Sequence, residues 1–554
     1  MVSIRVNGED LDLFPGTSLP YNGTNPLFLD GELDKIVDSF TFPITVPLSQ
    51  HNRQLFDFPD QIDNTIPLAD DLECEIYFNG FFLFEMTGYL SQATRTSVKL
   101  TMVSNVMTGV KDVYLSDLDL GGVVTGNQNA TLSAALASAT TPLSYNYAFF
   151  PIYNPGWFNA ENAPASPSPS AIDVYQNYWD AVAGTFISDA DNQAAMPFVR
   201  IDHILSKICT YLGYTIDNQW QTTDELKLLY IYNNFSIYED DLWAGYFNLR
   251  NHVPPVKVAD FFKAITRLFA IGPFPDKLTK TFELIPAKDL LTDAITHDWT
   301  YAADYDYEIE TDPKYPSFLD FLPDANDKMS EENAWKSIEV DAELDNYSDL
   351  SSQSAGIYYV KSVNAYYDYD PGRTRTTIFL HKQFEKADLE NDEGQPWQSP
   401  ASPLYMERFQ GQQAFYPKIH IEGRIKDYEQ GQDPGIRLIF YRGLNEGGDG
   451  YDRPLATNNV YDFDDVKQWD HALLWNTEYG IHEKYWNAWM QFLKDRKVVK
   501  RKLYLKLADF INFRWKHKVK IGENHYFVNE LKVNFPPYNA DRIEVEAELS
   551  TVLI

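Results

Sequence analysis

The sequence predicts a multidomain protein that is mainly β with α+β portions. At 554 residues the chain is longer than one hydrophobic core usually supports. It contains 36 tyrosines and 35 phenylalanines, and aromatic residues favour half-buried strands over helical bundles. Short alternating apolar segments separated by turn residues recur along its length. Five consecutive segments follow from these patterns.

Residues 1–115 are predicted to form an N-terminal β-barrel or sandwich. The segment 40–47 contains two prolines, which cannot donate to a strand ladder, so we expect an edge strand or an extended clamp there. The segment 73–84 reads as a hairpin around Asn79-Gly80, a favoured pair for a type I′ turn. Strands over 87–90 and 97–103 continue the meander.

Residues 116–195 are predicted to be a loop-rich aromatic insertion. The proline-rich stretch 162–170 favours an exposed loop or polyproline segment, because proline blocks both helix and ladder. The aromatic residues nearby are too many for a disordered linker. They are Tyr145, Tyr147, Phe149, Phe150, Tyr153, Trp157 and Phe158. We expect this insertion to pack on something, such as a neighbouring subunit.

Residues 196–300 are predicted to hold paired helix–strand units. In each unit apolar residues recur at the spacing of one helix face. These positions are Ile201, Ile204, Leu205, Ile208 and Leu212 in the first, and Val258, Phe261, Phe262, Ile265, Leu268 and Phe269 in the second. Gly213 and Gly272 are expected to end the two helices. Strands are expected to follow at 214–216 and 280–285.

The remaining chain is predicted to be a β-rich domain with long polar loops (301–470), then a C-terminal helix and β-barrel strands (471–554). The best strand candidates of the former are 356–369, 374–381, 418–425 and 436–441. The latter has a helix at 481–493 and strands at 500–507, 517–521, 525–533 and 543–549.

Charge and cysteine usage exclude several classes of protein. The formal net charge of −34 opposes nucleic-acid binding and anionic membranes. Cys74 and Cys209 are too few for a disulfide framework, which fits assembly in a reducing cytoplasm. The first residues lack the features of a signal peptide, and no apolar run is long enough to span a bilayer, so we expect no membrane insertion.

Known catalytic and cofactor motifs are absent from the sequence, which predicts a protein that is not an enzyme and has no cofactor. The acid–tyrosine stretches 304–308 and 366–370 lack EF-hand spacing, so a solvated strand face is favoured over a Ca²⁺ site. His517 and His525 are predicted to be structural histidines, close across a hairpin, and not zinc ligands. No catalytic, cofactor-binding or metal residues are assigned.

One basic stretch stands out in this acidic chain. Residues 494–520 contain eleven Lys and Arg against two Asp. Such a stretch favours a partner or self-assembly surface, with nucleic-acid contact as the alternative. The candidate assembly surface is Lys500, Arg501, Lys502, Arg514, Lys516, Lys518 and Lys520.

Four parts of the sequence together resemble the hub proteins at the tips of bacteriophage tails. The segment 40–52 is similar to the start of tail proteins in phages of Bacteroides relatives. The other parts are the hairpin region 73–103, the paired units at 200–216 and 257–286, and the closing strands 519–528 and 545–549. The family includes baseplate hubs and the N-terminal portion of tail-associated lysozymes.

The resemblance implies two related small antiparallel β-barrels plus inserted α/β and loop-rich domains. It further implies a homotrimeric, non-enzymatic virion protein, assembled in the host cytoplasm, whose ring joins the tail tube or distal tail protein to spike or fibre proteins. Such a ring encloses a channel for DNA or the tape-measure protein, and an acidic lumen repels phosphate.

Two other functions remain open at this point. A tail adhesion protein recognising host-surface glycans would use exposed tryptophans to stack on sugars. The candidates are Trp157, Trp220, Trp243 and Trp397. A glycan hydrolase is the enzymatic alternative, and it would need a carboxylate pair that the sequence does not single out.

Overall fold

The fold is described from a computed structural model of the 554-residue chain. Residues described are 1–28, 39–41, 43–61, 71–104, 106–110, 112–126, 128–158, 174–187, 195–237, 245–310, 341–361, 365–369, 371, 377–380, 401–408, 415–419, 435–447, 450–463, 466–474 and 477–552. The chain divides into two compact units. The first unit comprises Met1–Gly109, Gly272–Pro316 and Ala488–Ile554, and the second comprises Val110–Ile271 and Ser317–Asn487.

Strands predominate. In the first 310 residues they are β1 (Val2–Val6), β2 (Glu9–Asp10), β3 (Leu19–Thr24), β4 (Ser39–Thr41), β5 (Ile44–Pro47), β6 (Leu72–Phe78), β7 (Phe81–Ala93), β8 (Ser97–Ser104), β9 (Gly122–Val124), β10 (Tyr147–Ala148), β11 (Ile152–Tyr153), β12 (Tyr175–Gln176), β13 (Trp179–Asp180), β14 (Thr185–Phe186), β15 (Phe198–Arg200), β16 (Thr215–Asn218), β17 (Leu229–Ile231), β18 (Tyr246–Asn248), β19 (Ile271–Asp276), β20 (Thr281–Pro286), β21 (Ile295–Asp298) and β22 (Ala303–Glu310).

The later strands are β23 (Ala342–Leu344), β24 (Gly356–Val360), β25 (Ala365–Tyr369), β26 (Thr377–Leu380), β27 (Ala401–Pro403), β28 (Tyr405–Arg408), β29 (Phe415–Lys418), β30 (Ile436–Glu446), β31 (Asp452–Thr457), β32 (Val498–Lys506), β33 (Lys518–Ile521), β34 (Asn524–Phe535) and β35 (Arg542–Val552). The helices are α1 (Gln50–Leu55), α2 (Gln128–Thr140), α3 (Ile201–Tyr211), α4 (Asp224–Lys227), α5 (Val258–Leu268), α6 (Ala287–Thr292), α7 (Asn487–Asp495) and α8 (Leu507–Asn512). A π-helical segment over His482–Trp486 leads into α7.

One 14-stranded sheet dominates the first unit. Its order is β2-β1-β6-β7-β8-β4-β3-β34-β35-β32-β22, with β5 beside β8, β33 beside β34 and β21 beside β33. The chain contains two curled sheets of half-barrel form, and this large sheet joins strands from both ends of the chain. We use the name N-terminal half-barrel for β1 and β6–β8, and the name C-terminal half-barrel for β32–β35.

The N-terminal half-barrel is built by alternation and a tight turn. In β6 the residues alternate between buried and more exposed, which places one face on the core. Asn79 and Gly80 both have positive φ, 53° and 82°, as a type I′ turn requires. Strands β6, β7 and β8 pair antiparallel in succession, and β1 pairs with β6.

The C-terminal half-barrel follows the same local rules. Strands β33, β34 and β35 pair antiparallel in succession, and β32 pairs with β35 over nine positions. Gly522 turns the chain between β33 and β34 at φ 64°. This positive φ at the first turn position is typical of a type II′ hairpin.

Strand β3 joins the two half-barrels. It pairs with β34 from Leu19↔Phe535 to Thr24↔Glu530, and with β4, which in turn pairs with β8. One continuous cluster of buried apolar side chains lies under both half-barrels and includes Ile4, Ile76, Leu503 and Leu549. Residues about 500 positions apart in sequence, such as Ile4 and Leu503, therefore lie in one core.

The second unit contains several smaller sheets. The largest has the order β10-β15-β17-β30-β27, with β31 beside β30. Separate sheets are formed by β12-β11-β29-β28, by β23-β24-β25-β26, by β13-β14 and by β9-β18. Helices α3 and α5 bury the apolar faces that their spacing predicts.

The predicted fold class is confirmed: the chain is mainly β, with several sheets, and its two barrels take the form of curled half-barrels. The five-segment division stays a prediction. The expected edge strand at 40–47 is two strands, of which β5 pairs only with β8 in the described part, whereas β4 lies between β3 and β8. Gly213 follows α3 at φ 78°, as predicted.

Gly272 does not end α5, which corrects the expectation. Ala270 adopts the positive φ of 48° after the helix, and Gly272 lies within β19. A Cβ at Gly272 would come within 2.5 Å of the Phe274 ring, so this glycine provides space and not a turn. The polyproline stretch 162–170 lies outside the described residues.

Candidate functional site

The predicted basic stretch is placed in the C-terminal half-barrel and in the loop before β33. Within β32, Lys500 pairs with Glu310 at 3.1 Å and Lys502 pairs with Glu544 at 2.9 Å. These acids come from β22 and β35, which flank β32 on its two sides. Both lysines are about half exposed, so solvent screens each pair and the pairs contribute little to stability.

Arg501, Lys518 and Lys520 are also engaged within the first unit. The Arg501 guanidinium donates to the backbone oxygen of Asp304 and lies over the Tyr307 ring. Lys518 is buried and donates to the Leu291 carbonyl at 2.9 Å, and burial lowers its pKa. The backbone oxygen of Lys520 accepts a hydrogen bond from the backbone N–H of Trp299.

Arg514 and Lys516 hold the hairpin formed by β19 and β20. The Arg514 Nε lies 3.2 Å from a carboxylate oxygen of Asp276, and Lys516 lies 2.5 Å from Glu283. The pKa of Asp276 lies below its ordinary value: burial opposes the shift, but turn N–H groups and Arg514 outweigh it. At the turn of the hairpin, Lys277 donates to Ser104 Oγ and to the Glu85 carbonyl.

The candidate assembly surface is thus already largely neutralised by acids of the same chain. Lys500, Lys502, Arg514 and Lys516 each have an acidic partner. Whether these residues also contact another subunit stays a prediction. Sequence reasoning missed the partners because they come from distant segments around 276–310 and 544.

A pocket of about 300 Å³ lies where this hairpin meets the loop before β33. One wall is apolar, with Phe274, Phe282 and Trp515. The other carries the two charge pairs Arg514–Asp276 and Lys516–Glu283, so the lining has no net charge. Such a pocket has the size of a small-ligand site.

His517 borders the pocket and forms a hydrogen bond with His297, not with His525. The His297 Nε2 and His517 Nδ1 atoms are 3.0 Å apart. Burial, then the neighbouring His297, lowers the pKa of His517 to about 4, and burial also lowers the pKa of His297. His517 and His525 lie on the two arms of the β33–β34 hairpin, but they are not register partners, because His525 pairs with Lys520.

The tryptophans proposed for sugar stacking are not exposed where the structure describes them. Trp157 is 1% exposed and donates its indole N–H to the Asn234 carbonyl. Trp220 is 2% exposed, with its ring centroid 4.5 Å from that of Phe269. Both belong to the core of the second unit, which corrects the expectation. Trp243 and Trp397 lie outside the described residues.

The aromatic insertion packs within its own chain. Phe150 stacks on Tyr441 with ring centroids 5.0 Å apart, and it lies 4.5 Å from Phe198. Tyr147 and Tyr153 are buried too. These contacts account for the aromatic richness without a second subunit.

The acid–tyrosine stretch 304–308 is an exposed strand face, as predicted. It lies in β22, at the end of the large sheet, where Tyr305 is 95% exposed.

In the part of the chain that is described, no group of three or more His, Cys, Asp or Glu is arranged to hold a metal ion. Cys74 and Cys209 are buried, and burial raises the pKa of each thiol to about 12. Of the described helices, none has the length and apolarity to span a bilayer.

Comparisons with known proteins give structural likeness only. No protein-family model matches the sequence. No curated protein is significantly similar to it. The chain is similar to the 43 kDa tail protein of prophage MuSo2 from Shewanella oneidensis, with 8% identity, a TM-score of 0.32 and coverage of 100% of this chain and 97% of that one.

Two further solved structures are similar at the same level. They are a tail protein from Neisseria meningitidis MC58 (8% identity, TM-score 0.29, covering 99% and 95%) and prophage tail protein gp18 from Listeria monocytogenes EGD-e (7% identity, TM-score 0.31, covering 99% and 94%). At such values the likeness does not by itself assign a function to this chain.

Proposed function

We propose that the chain is a structural hub subunit at the tip of a bacteriophage tail. The observation that carries the proposal is the single large sheet that pairs strands from the two ends of the chain, in a chain with two curled half-barrel sheets. The sequence resemblance to tail hubs independently implies two barrels in each subunit.

Three subunits with two half-barrels each would form a pseudo-sixfold ring. A closed ring of this kind matches a hexameric tail tube or distal tail protein on one face and a threefold spike or fibre on the other. The first unit would form the ring, because the large sheet uses only strands of that unit. The protein would act in the virion without a reaction or a cofactor.

The net charge of −34 gives the ring a physical use. A channel with acidic walls repels phosphate, so DNA or the tape-measure protein would pass without binding. The internal pairing of Lys500, Lys502, Arg514 and Lys516 supports this reading, because it reduces the free basic surface. A ring whose lumen were lined by lysine and arginine would remove this part of the proposal.

Native mass measurement of the full chain, combined with electron microscopy of the same sample, tests the ring. We expect a trimer at micromolar concentration and end-on views with a central hole. A protein that stays monomeric over the accessible concentration range, or that forms a dimer, would contradict the proposal. The glycan-binding alternative loses support from the burial of Trp157 and Trp220.

A further inference from the structure

The outer side of β22 is an edge of the large sheet that no described strand covers. β22 has eight residues, ends the path of the large sheet, and pairs with β32 alone among the strands described. The opposite end of the sheet is blunted by β2, which has only two residues. β5 follows Pro43 and ends at Pro47, and proline protects an edge by removing donors. Among the described edge strands of this sheet, β22 is therefore the longest one without proline.

The side chains of β22 are exposed on both faces. Tyr305, Tyr307 and Ile309 are 95%, 57% and 47% exposed. Large apolar groups of this kind supply the area that an added strand would bury, since β-strand addition combines main-chain hydrogen bonds with alternate side-chain contacts. Tyrosine in particular gives contact area at a low cost in side-chain entropy.

The negative charge of β22 favours a positively charged partner. Asp304, Asp306, Glu308 and Glu310 alternate with the exposed apolar residues. Lys500 already pairs with Glu310, and Asp306 has no ion-pair partner among the described residues. Two copies of this edge placed side by side would bring carboxylates against carboxylates, which is destabilising for cross-strand neighbours. A basic strand would instead match every second position.

We propose that the outer edge of β22 accepts a basic, extended segment of another protein as an added antiparallel or parallel strand. Main-chain hydrogen bonds supply the affinity, and the alternating carboxylates supply the specificity. The proposal goes beyond the ring, because it assigns a partner to one strand and does not depend on how many subunits associate.

A synthetic peptide that alternates lysine with valine and threonine is a suitable probe. Fluorescence anisotropy at low salt measures binding to the full chain, and hydrogen exchange measures protection of the amides of 303–310. We expect binding with protection confined to β22, and a loss of affinity when one lysine is replaced by proline, which cannot complete the ladder. Binding without protection of β22 would overturn the proposal, as would no binding.

A matched pair of variants separates edge recognition from general charge attraction. Asp306→Lys changes the charge of the open edge, whereas Glu546→Lys makes the same change on β35, an inner strand. We expect Asp306→Lys to weaken peptide binding about tenfold, with Glu546→Lys close to wild type. Equal losses in the two variants would overturn the proposal. Circular dichroism of each variant checks the fold.

The outcome is distinguishable from that of the ring experiment. Self-association through β22 would appear as concentration-dependent assembly that Asp306→Lys strengthens and that the peptide competes away, and it would overturn the choice of a basic partner. If Asp306→Lys does not affect the trimer, the ring proposal stands. The segment that adds to β22 then belongs to another component of the assembly.

Discussion

The N-terminal and C-terminal half-barrels share a three-strand meander but differ in where the fourth strand is added. In the N-terminal half-barrel β1 lies beside β6, the first strand of its meander. In the C-terminal half-barrel β32 lies beside β35, the last strand of its meander. Hairpin turns determine the meander locally, whereas the fourth strand is placed by pairing between segments distant in sequence. Similar local patterns thus produce similar three-strand meanders, but the fourth strand is added beside the first strand in one and beside the last strand in the other.

The two half-barrels are nevertheless one structural body. Their buried apolar residues form a single cluster, and β3 pairs with β34 while β4 connects β3 to β8. We therefore expect damage in one half-barrel to lower the stability of the other. Four predictions sharpen this comparison.

Truncation of a core residue should give the largest effect. Ile76 in β6 and Leu549 in β35 are fully buried, so Ile76→Ala and Leu549→Ala should each lower the free energy of unfolding by about 2–5 kcal/mol. Hydrogen exchange resolved by peptide should show faster exchange in both half-barrels for either variant. Tyr538→Ala, at a 65% exposed position, is the control. Acceleration limited to the substituted half-barrel would show two separate bodies.

Gly88→Ala should come next, with an effect on the N-terminal half-barrel. A Cβ at Gly88 would lie 2.6 Å from Cys74 Sγ and 3.1 Å from Leu100 Cδ1, inside a packed core. Overpacking of this kind costs about 1–3 kcal/mol. Denaturant titration followed by hydrogen exchange in β6–β8 measures it, with Thr87→Ala on the alternate face as the control. An unchanged midpoint would mean that the sheet relaxes freely around the added methyl.

The two hairpin turns should respond alike. Gly80 and Gly522 have positive φ of 82° and 64°, and a Cβ at either would meet nothing within 4 Å. Gly80→Ala and Gly522→Ala should each cost about 1 kcal/mol through backbone strain alone. Gly80→Asn should cost less, because asparagine tolerates a left-handed conformation. Thermal unfolding compares the three, and a larger loss for Gly80→Asn than for Gly80→Ala would refute the strain argument.

The smallest effect should be a pH dependence that originates in the C-terminal half-barrel. The pKa of His517 is about 4 in the folded chain against an ordinary 6.5, so the unfolded chain binds the proton first as pH falls. Stability from this group should be lost between pH 6.5 and 4 in the wild type. His517→Gln should show a shallower decline, with His525→Gln as the control. Parallel wild-type and His517→Gln curves over that range would contradict the pKa shift.

Local patterns in the sequence predicted much of the fold. Alternation and the Asn79-Gly80 pair predicted the N-terminal meander, and helical spacing predicted α3 and α5 within one residue at their starts. Pairing of β3 with β34 was not predictable, because a six-residue strand carries no signal for a partner about 500 residues away. The same distance hid the acids that pair with the basic stretch.

The site proved less predictable than the fold. Composition marked Trp157 and Trp220 as aromatic but could not show that they are buried. His297 had no signal linking it to His517, because the two lie in strands brought together only by the parallel pairing of β21 with β33. In the sequence, the only sign of the edge at β22 was the alternation of acidic residues with tyrosine at 304–308.

A double-cysteine cross-link tests the shared sheet most directly. Pro20 in β3 and Asn534 in β34 are register partners, and the native Cys74 and Cys209 are buried, so they should not compete. Under mild oxidation, Pro20→Cys with Asn534→Cys should form an intramolecular disulfide, identified by mass spectrometry of the linked peptides. If the engineered thiols stay reduced, or link only different molecules, then the two ends of the chain do not form one sheet.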